Sequence, residues 1–484
     1  MKKYGSILVL VCYTFFNSSA QLYDAQWMLG PRTSTVDFRT DPPSLDTIHK
    51  SIVGYESNAA ISNYAGELLY YTNGIYIAGK QSSGDSILNG NGLNPCPFTT
   101  QYSSQGIPYP QSSIFLNKPG DAHDRYYYLI HFSGDNNGVA YTLYYSLIDA
   151  QGNFGLGEVI SKNDTFYQGI TRTGGMAACK HANGRDWWIV TAGRNNNLYR
   201  KFLLTPSGIT DTLLQNIGPV YQGGLDQCYS RFSLDGTKYV TSTWAGLTTV
   251  MDFNRCTGEF SNPVVINNAE GNVGKGGLAE FSPNGRFVYL TNTAKLEQYD
   301  LNNPNVQDSV VLYRQSAGQY ASTKYLSLAL DGRLYCSTWA GGYYFMSVIN
   351  NPDELGLNCN FVYGGQPTLS GNSINVSNTA NPRLGALIGS GCDTITAVSC
   401  LSPREKGVKC FPNPADKAIY IEMPNQGNYV FELLNPLGQL EERRETKQVD
   451  IINLQSLDNG TYLLRVLQND KEVSITKVVV QHPH

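Results

Sequence analysis

Long apolar runs are missing from this 484-residue chain after its first twenty positions. No later stretch approaches the roughly twenty apolar residues with which a helix crosses a bilayer, so no transmembrane anchor is expected. Charge is sparse as well, at 15% of residues, with both signs scattered. Without a basic run to follow a phosphate backbone, nucleic acid is not an expected partner. Of the six histidines, His49, His123, His131, His181, His482 and His484, two alone, His482 and His484, are spaced as His-x-His, and no His-Glu-x-x-His pair occurs, so the sequence offers no complete local zinc site. None of the ten cysteines makes a Cys-x-x-Cys pair. A helical period of apolar residues is missing too, which argues against a helical bundle or an α/β fold.

What is abundant points the other way. Forty-eight glycines and thirty-three tyrosines suit many turns between half-buried strands. At the N-terminus Lys2 and Lys3 precede an apolar run from Ile7 to Phe16, and Ser18-Ser19-Ala20 supply small residues before Gln21. This is the pattern of a secretory signal peptide over 1–20. Its removal takes Lys2 and Lys3 from a formal charge of −4, giving −6, and Cys12 from the ten cysteines, leaving nine. An exported chain permits disulfides, and the separations of Cys228 from Cys256 and of Cys336 from Cys359 suit adjacent strands or loops.

The interior repeats itself. Phe232-Ser233-Leu234-Asp235-Gly236-Thr237-Lys238-Tyr239-Val240 recurs as Phe281-Ser282-Pro283-Asn284-Gly285-Arg286-Phe287-Val288-Tyr289, and again as Leu328-Ala329-Leu330-Asp331-Gly332-Arg333-Leu334-Tyr335. Each copy reads as a hairpin closed by an Asp-Gly or Asn-Gly turn. Looser copies surround Gly66, Gly120 and Gly184. The mean spacing of the six turns, about 53 residues, gives roughly seven units between 21 and 395. The predicted fold is therefore all-β, a β-propeller of seven blades with six as the alternative. An open sandwich or solenoid is the competing architecture.

Beyond about Gly389 the pattern lapses, and Ser402-Pro403-Arg404-Glu405-Lys406-Gly407 reads as a polar linker, placed at 396–410. Short alternating strands then resume over 411–484, as in a small Ig-like β-sandwich. This segment holds Phe411-Pro412-Asn413-Pro414, Leu434-Asn435-Pro436-Leu437-Gly438-Gln439 and Gly460-Thr461-Tyr462. It resembles the C-terminal sorting domain of Bacteroidota type IX secretion substrates. The resemblance assigns the motif to Pro412, Asn413, Pro414, Gly438, Gly460, Tyr462 and Lys477. It implies recognition by the type IX machinery, removal by a sortase-like protease, and a secreted or outer-membrane cell-surface destination. Residues 22–395 are similar to Bacteroidota surface propellers that carry this tail, on Gly66 to Gly74, Asp186-Trp187-Trp188-Ile189-Val190, Leu203 to Gly208 and Phe253 to Gly258. That family implies the fold and no activity.

Motifs that could carry chemistry mostly fail. Ser133-Gly134-Asp135-Asn136-Asn137-Gly138 begins like a calcium loop, but serine takes the first position and Tyr144 stands where the twelfth-position acid belongs. A hairpin turn accounts for it better. No cofactor is expected, and calcium at another loop is the one ion left open. Gly271 to Gly277 lacks the spacing and the Ser or Thr of a phosphate loop, and no Gly-x-Ser-x-Gly nucleophile turn occurs. Asp226, Glu270 and Glu280 are acids that a propeller could pair for glycoside hydrolysis. Trp187-Trp188, Trp244, Trp339 and Tyr343-Tyr344 could stack on sugars, although Trp244 and Trp339 recur at one repeat position, as blade-packing residues would.

Asp-(Ser/Thr) followed by Ile, Leu or Val occurs five times and resembles the O-glycosylation acceptor of exported Bacteroidota proteins. Its acceptors would be Thr47, Ser86, Thr212, Ser309 and Thr394. Turns favour the same dipeptides. The expected function is a binding or adhesion module for a surface glycan or protein ligand. A secreted carbohydrate-active hydrolase or lyase is the first alternative, and a structural surface-layer or gliding component the second.

Overall fold

The computed structural model describes residues 21–29, 34–47, 56–80, 86–221, 228–243, 247–267, 278–291, 295–316, 323–338, 344–369, 376–393, 409–422, 427–435, 440–447, 449–468 and 471–482. Two compact units divide the chain, 1–395 and 396–484. The signal-peptide reading of 1–20 and the polar linker at 402–407 lie outside the described residues.

Among the described residues of the first unit the strands form seven consecutive antiparallel meanders, spanning 26–47, 59–91, 113–172, 177–216, 228–267, 278–314 and 323–367. The first has three strands and each of the others four; the second and third join through one parallel pairing, Leu88 with Glu158, into an eight-stranded sheet. First strands of most successive meanders lie side by side. The last meander meets the first where Trp27 and Phe38 pack on Tyr335, with ring centroids 6.0 and 5.0 Å apart. That contact closes the series into a ring. The fold is a β-propeller, in which each sheet buries both faces against its neighbours and no long edge is left bare.

The repeated hairpins form as their residues dictate. Gly236, Gly285 and Gly332 take φ of +71°, +69° and +79°, a region that glycine enters without steric cost. The residue before each glycine caps the turn with its side chain. Asp235 accepts the Thr237 N–H, Asn284 the Arg286 N–H and Asp331 the Arg333 N–H, at 3.0, 2.9 and 3.0 Å. These turns join the first strand to the second, so all of them lie at one end of the meanders, the turn end.

Cysteine pairing differs from the sequence expectation. Cys256 bonds Cys392, 136 residues away, not Cys228. Cys228 opens the first strand of its meander, whereas Cys256 sits in the turn between the third and fourth strands, at the opposite end of the same sheet. Cys336 and Cys359 share a core cluster without a bond between them. Sequence separation reports strand order, but a disulfide needs Cβ atoms about 4 Å apart.

The second unit has two antiparallel sheets. Lys409–Phe411, Ala418–Glu422 and Val449–Asn453 form one, and Leu440–Thr446, Tyr429–Leu434, Gly460–Gln468 and Lys471–Val480 the other. One core serves both, with Ile419, Ile421, Phe431, Leu433, Ile452, Leu464, Val466 and Val478 fully buried.

Candidate functional site

At the hub of the ring lies the last described stretch of the first unit. The residues from Val376 onward run beside the three-stranded first meander: Met28 N–H donates to Ser377 Oγ at 3.1 Å. Asn378, 1% exposed, then reaches four further meanders. Its N–H donates to Asn58 O (2.8 Å), and its Nδ2 to Ser113 O (3.0 Å) and Met176 O (3.1 Å). Its Oδ1 accepts Gln111 Nε2 (3.2 Å) and Arg231 Nη1 (2.7 Å). Cavities beside Thr379 and Ala380 measure about 10, 40 and 60 Å³, far below the several hundred Å³ of a typical ligand site.

From the hub the strap crosses the turn end to the fourth and fifth meanders. Asn381 Nδ2 donates to Leu234 O at 2.7 Å and Arg383 pairs with Asp24. Arg255 Nη2 donates to Gly385 O at 2.6 Å, and Leu387 N–H to Ala182 O at 2.8 Å, before Cys392 reaches Cys256. Gly184 makes this passage fit: its φ is +71°, and a Cβ there would stand 2.4 Å from Ala386 N.

Beside the hub Glu280 is buried with Arg231, whose Nε donates to Glu280 Oε2 at 3.1 Å. Phe281 N–H and Leu328 N–H also bond this carboxylate, at 3.0 and 3.3 Å. Burial outweighs the guanidinium and pushes the carboxyl up to about 7. Between pH 4.5 and 7 the folded state thus holds a proton that the unfolded state has lost, and stability falls as pH rises through that window. His131 works in the opposite sense below 6.5, because burial lowers it to about 3. The Glu280 contribution is therefore the difference between wild type and Glu280→Gln. We expect wild-type chemical denaturation to lose about 2–3 kcal/mol more than the variant between pH 4.5 and 7.5; parallel curves would contradict this.

An open groove of about 650 Å³ lies at the turn end. Three successive first-to-second-strand turns build it, those around Gly66, Gly120 and Gly184, together with Gln21 and Tyr23. Asp121 and Asp124 stiffen its floor. Asp121 accepts the N–H groups of His123, Arg125 and Tyr126, at 3.1, 2.7 and 2.7 Å. Asp124 accepts Tyr64 N–H at 2.8 Å and Tyr127 OH at 2.5 Å. Lys118, Arg185 and the exposed His123 bring positive or protonatable groups, and Tyr64, 40% exposed, offers a ring. Lys180 lies beneath, its Nζ 3.9 Å from the Trp187 ring centroid and 3.2 Å from Arg185 O. Burial pushes its ammonium down to about 7. The arrangement suits hydroxyl-rich or acidic ligands: fixed carboxylates accept hydrogen bonds, cations donate them, and an aromatic wall meets apolar faces.

Residues singled out by sequence scatter. Trp187 and Trp188 are buried and bond Asn117 O and Arg255 O through Nε1, at 3.2 and 2.9 Å, so they pack blades. Tyr344 is exposed, while Trp244, Trp339, Tyr343, Asp226, Glu270 and Gly271 to Gly277 lie outside the described residues. Asp135 caps a turn, accepting Asn137 N–H and Val139 N–H at 2.9 and 3.0 Å. Among the described residues no group of three or more His, Cys, Asp or Glu could hold a metal. Thr47, Ser86, Thr212 and Ser309 each stand on the last strand of a meander, Thr47 and Thr212 exposed; Thr394 is outside the described residues. The groove residues escaped sequence reading, although the looser repeats around Gly66, Gly120 and Gly184 mark the turns that carry most of them.

In the second unit Asn413 accepts Val479 N–H at 2.8 Å, so the Pro412-Asn413-Pro414 segment is tied to the last strand. Gly460 pairs with Val480 and opens the strand on which Tyr462 is buried, its OH donating to Asp458 O at 3.1 Å. Lys477 pairs with Leu463 in the same sheet, and Gly438 is outside the described residues. Residues 409–481 match the family described as a secretion system C-terminal sorting domain. The chain carries a type IX sorting domain. It is exported by type IX secretion to the cell surface or the extracellular space. No helix among the described residues is long and apolar enough to cross a membrane.

A curated relative, ulvan lyase NLR42 of Nonlabens ulvanivorans, is 30% identical over 87 residues. The match covers 18% of this chain and 16% of that protein, too short to hold the seven meanders. Solved structures with some likeness include the Pseudomonas aeruginosa periplasmic gluconolactonase PpgL, at 11% identity and a TM-score of 0.37, covering 74% of this chain and 97% of that one. Another is a putative 6-phosphogluconolactonase from Bacteroides uniformis, at 15% and 0.34, covering 82% and 99%. Such scores carry no argument, and the fold rests on the order and closure of the meanders.

Proposed function

We propose that the first unit is a surface-binding module whose seven meanders are the blades of a rigid disc, and that the groove at its turn end takes a glycan or a glycan-bearing protein. One observation carries this reading: an open groove of about 650 Å³ with fixed carboxylates, cations and a tyrosine ring, next to a hub filled by the chain's own Asn378. Rigid strands position the turns, and the turns supply specificity. The type IX tail delivers the disc, and a sortase-like protease releases it by cleavage near the linker at 396–410. O-glycans at Thr47, Ser86, Thr212 and Ser309 would ring the outer strands, clear of the groove.

Glycan arrays and pull-downs test the binding. Combining Lys118→Ala and His123→Ala, both on the groove wall, should weaken ligand capture at least tenfold with an unchanged melting temperature. Turnover of a polysaccharide together with no capture across broad ligand sets would replace the reading with an enzymatic one.

A further inference from the structure

Six lysines and arginines in the described part of the chain are buried: Arg172, Lys180, Lys201, Arg231, Arg255 and Lys295. Five have acceptors. Lys180 donates to Arg185 O, Lys201 to Gln215 Oε1, Arg231 to Glu280, Arg255 to Lys180 O and Lys295 to Glu297, at 3.2, 2.5, 3.1, 2.9 and 2.9 Å. Arg172 is the exception. It is 1% exposed, and its Nε, Nη1 and Nη2 make no hydrogen bond to any described residue. It lies on the face of Tyr221, whose ring centroid is 4.6 Å from the guanidinium carbon.

The place is held firmly. Arg172 ends the strand Glu158–Arg172, paired with Val139, four residues before the strand Ala177–Lys180 begins. Since the far end of Ala177–Lys180 leads into the turn at Gly184, Arg172 stands at the end of the strands opposite the strap. Gly174 and Gly175 follow it against the fifth meander, where an added Cβ would come within 2.5 Å of Cys228 O or 2.4 Å of Cys228 Sγ. Tyr221 is tied down by its hydroxyl, 2.5 Å from Thr249 Oγ1. Neither the backbone nor the ring can readily move to relieve the charge.

We infer that Arg172, with Tyr221 behind it, is the seat of a small oxyanion, a carboxylate or a sulfate, at the end of the disc away from the groove. A buried charge with no counter-charge is among the costliest arrangements in a protein. A cation–π contact offsets only part of that cost. A water molecule could satisfy the N–H groups but not the charge. The guanidinium fork, with two parallel N–H groups on one edge, matches the oxygens of a carboxylate or sulfate. The anion is either free in the medium or the acid group of a sugar.

The full chain would be titrated with sodium sulfate, sodium acetate and sodium glucuronate at constant ionic strength, following the melting temperature. Wild type should show a saturable rise with at least one of them, Arg172→Met should show none, and Arg172→Lys should need at least tenfold more anion because the fork is lost. A rise with glucuronate assigns a sugar acid to the seat, and a rise with sulfate or acetate alone assigns a free oxyanion; both support the site. No saturable rise in wild type, or an equal rise in Arg172→Met, overturns it. If Arg172→Met fails to fold, the wild-type titration and Arg172→Lys still decide. The groove variants should leave this response unchanged, so either proposal can fail without the other.

Discussion

Deleting residues 411–484 should abolish surface export and leave a folded first unit in the periplasm. The tail that matches the sorting family occupies 409–481, and its core of thirteen buried residues from Ala415 to Val480 is separate from the propeller's clusters. Everything that closes the ring lies before the cut: Trp27 on Tyr335, Asn378 at the hub, and Cys392 on Cys256. Cell fractionation with a protease-protection assay reads the location, and thermal unfolding of the periplasmic product reads the fold. Surface display of the truncated chain would contradict the sorting assignment. An unfolded or degraded product would contradict independent folding of the first unit.

Asn378→Ala should cost the full chain about 4 kcal/mol of unfolding free energy, because two donors and two acceptors lose their partner in a buried setting. Ser113 O and Met176 O lose the Nδ2 donor, and Gln111 Nε2 and Arg231 Nη1 lose the Oδ1 acceptor. Gln111 keeps Ser230 O at 2.8 Å and Arg231 keeps Glu280, which holds the loss below the sum of four broken bonds. Further out on the strap, Asn381→Ala removes two bonds in a half-buried setting, Nδ2 to Leu234 O and Arg383 N–H to Oδ1, and should cost about 1–2 kcal/mol. Urea denaturation compares the two through their midpoints at constant slope. Equal small losses would mean that the hub does not tie the meanders together.

Repetition made most of the first unit legible. The Asp-Gly and Asn-Gly hairpins at Gly236, Gly285 and Gly332 were readable because the turn residues act locally, each capping its own loop within two positions. The sorting tail was readable for a similar reason, since its alternating strands and motif residues are contiguous. Disulfide pairing was not. Cys256 finds Cys392 across 136 residues because the strap doubles back over the turn end, and no local pattern records that path.

Neither was the groove, whose walls come from three meanders. Each wall residue looks ordinary in its own repeat: Asp121 caps a turn, Lys118 follows the end of the strand Ser113–Asn117, Arg185 pairs with its neighbour Asp186 at 2.7 Å. Only their convergence is informative. Asn378 carries even less signal, since one asparagine in a glycine- and serine-rich stretch resembles any other loop residue.

The sequence by itself determined the strand-and-turn periodicity, the all-β class and the export tail, because each is written in short-range patterns of hydrophobicity and turn chemistry. Only the tertiary structure decided that the hub is filled, which cysteines bond, where an open groove lies and that Arg172 is buried without a counter-charge among the described residues. Those properties depend on distances between residues tens to hundreds of positions apart. Such distances exist only after the ring has closed.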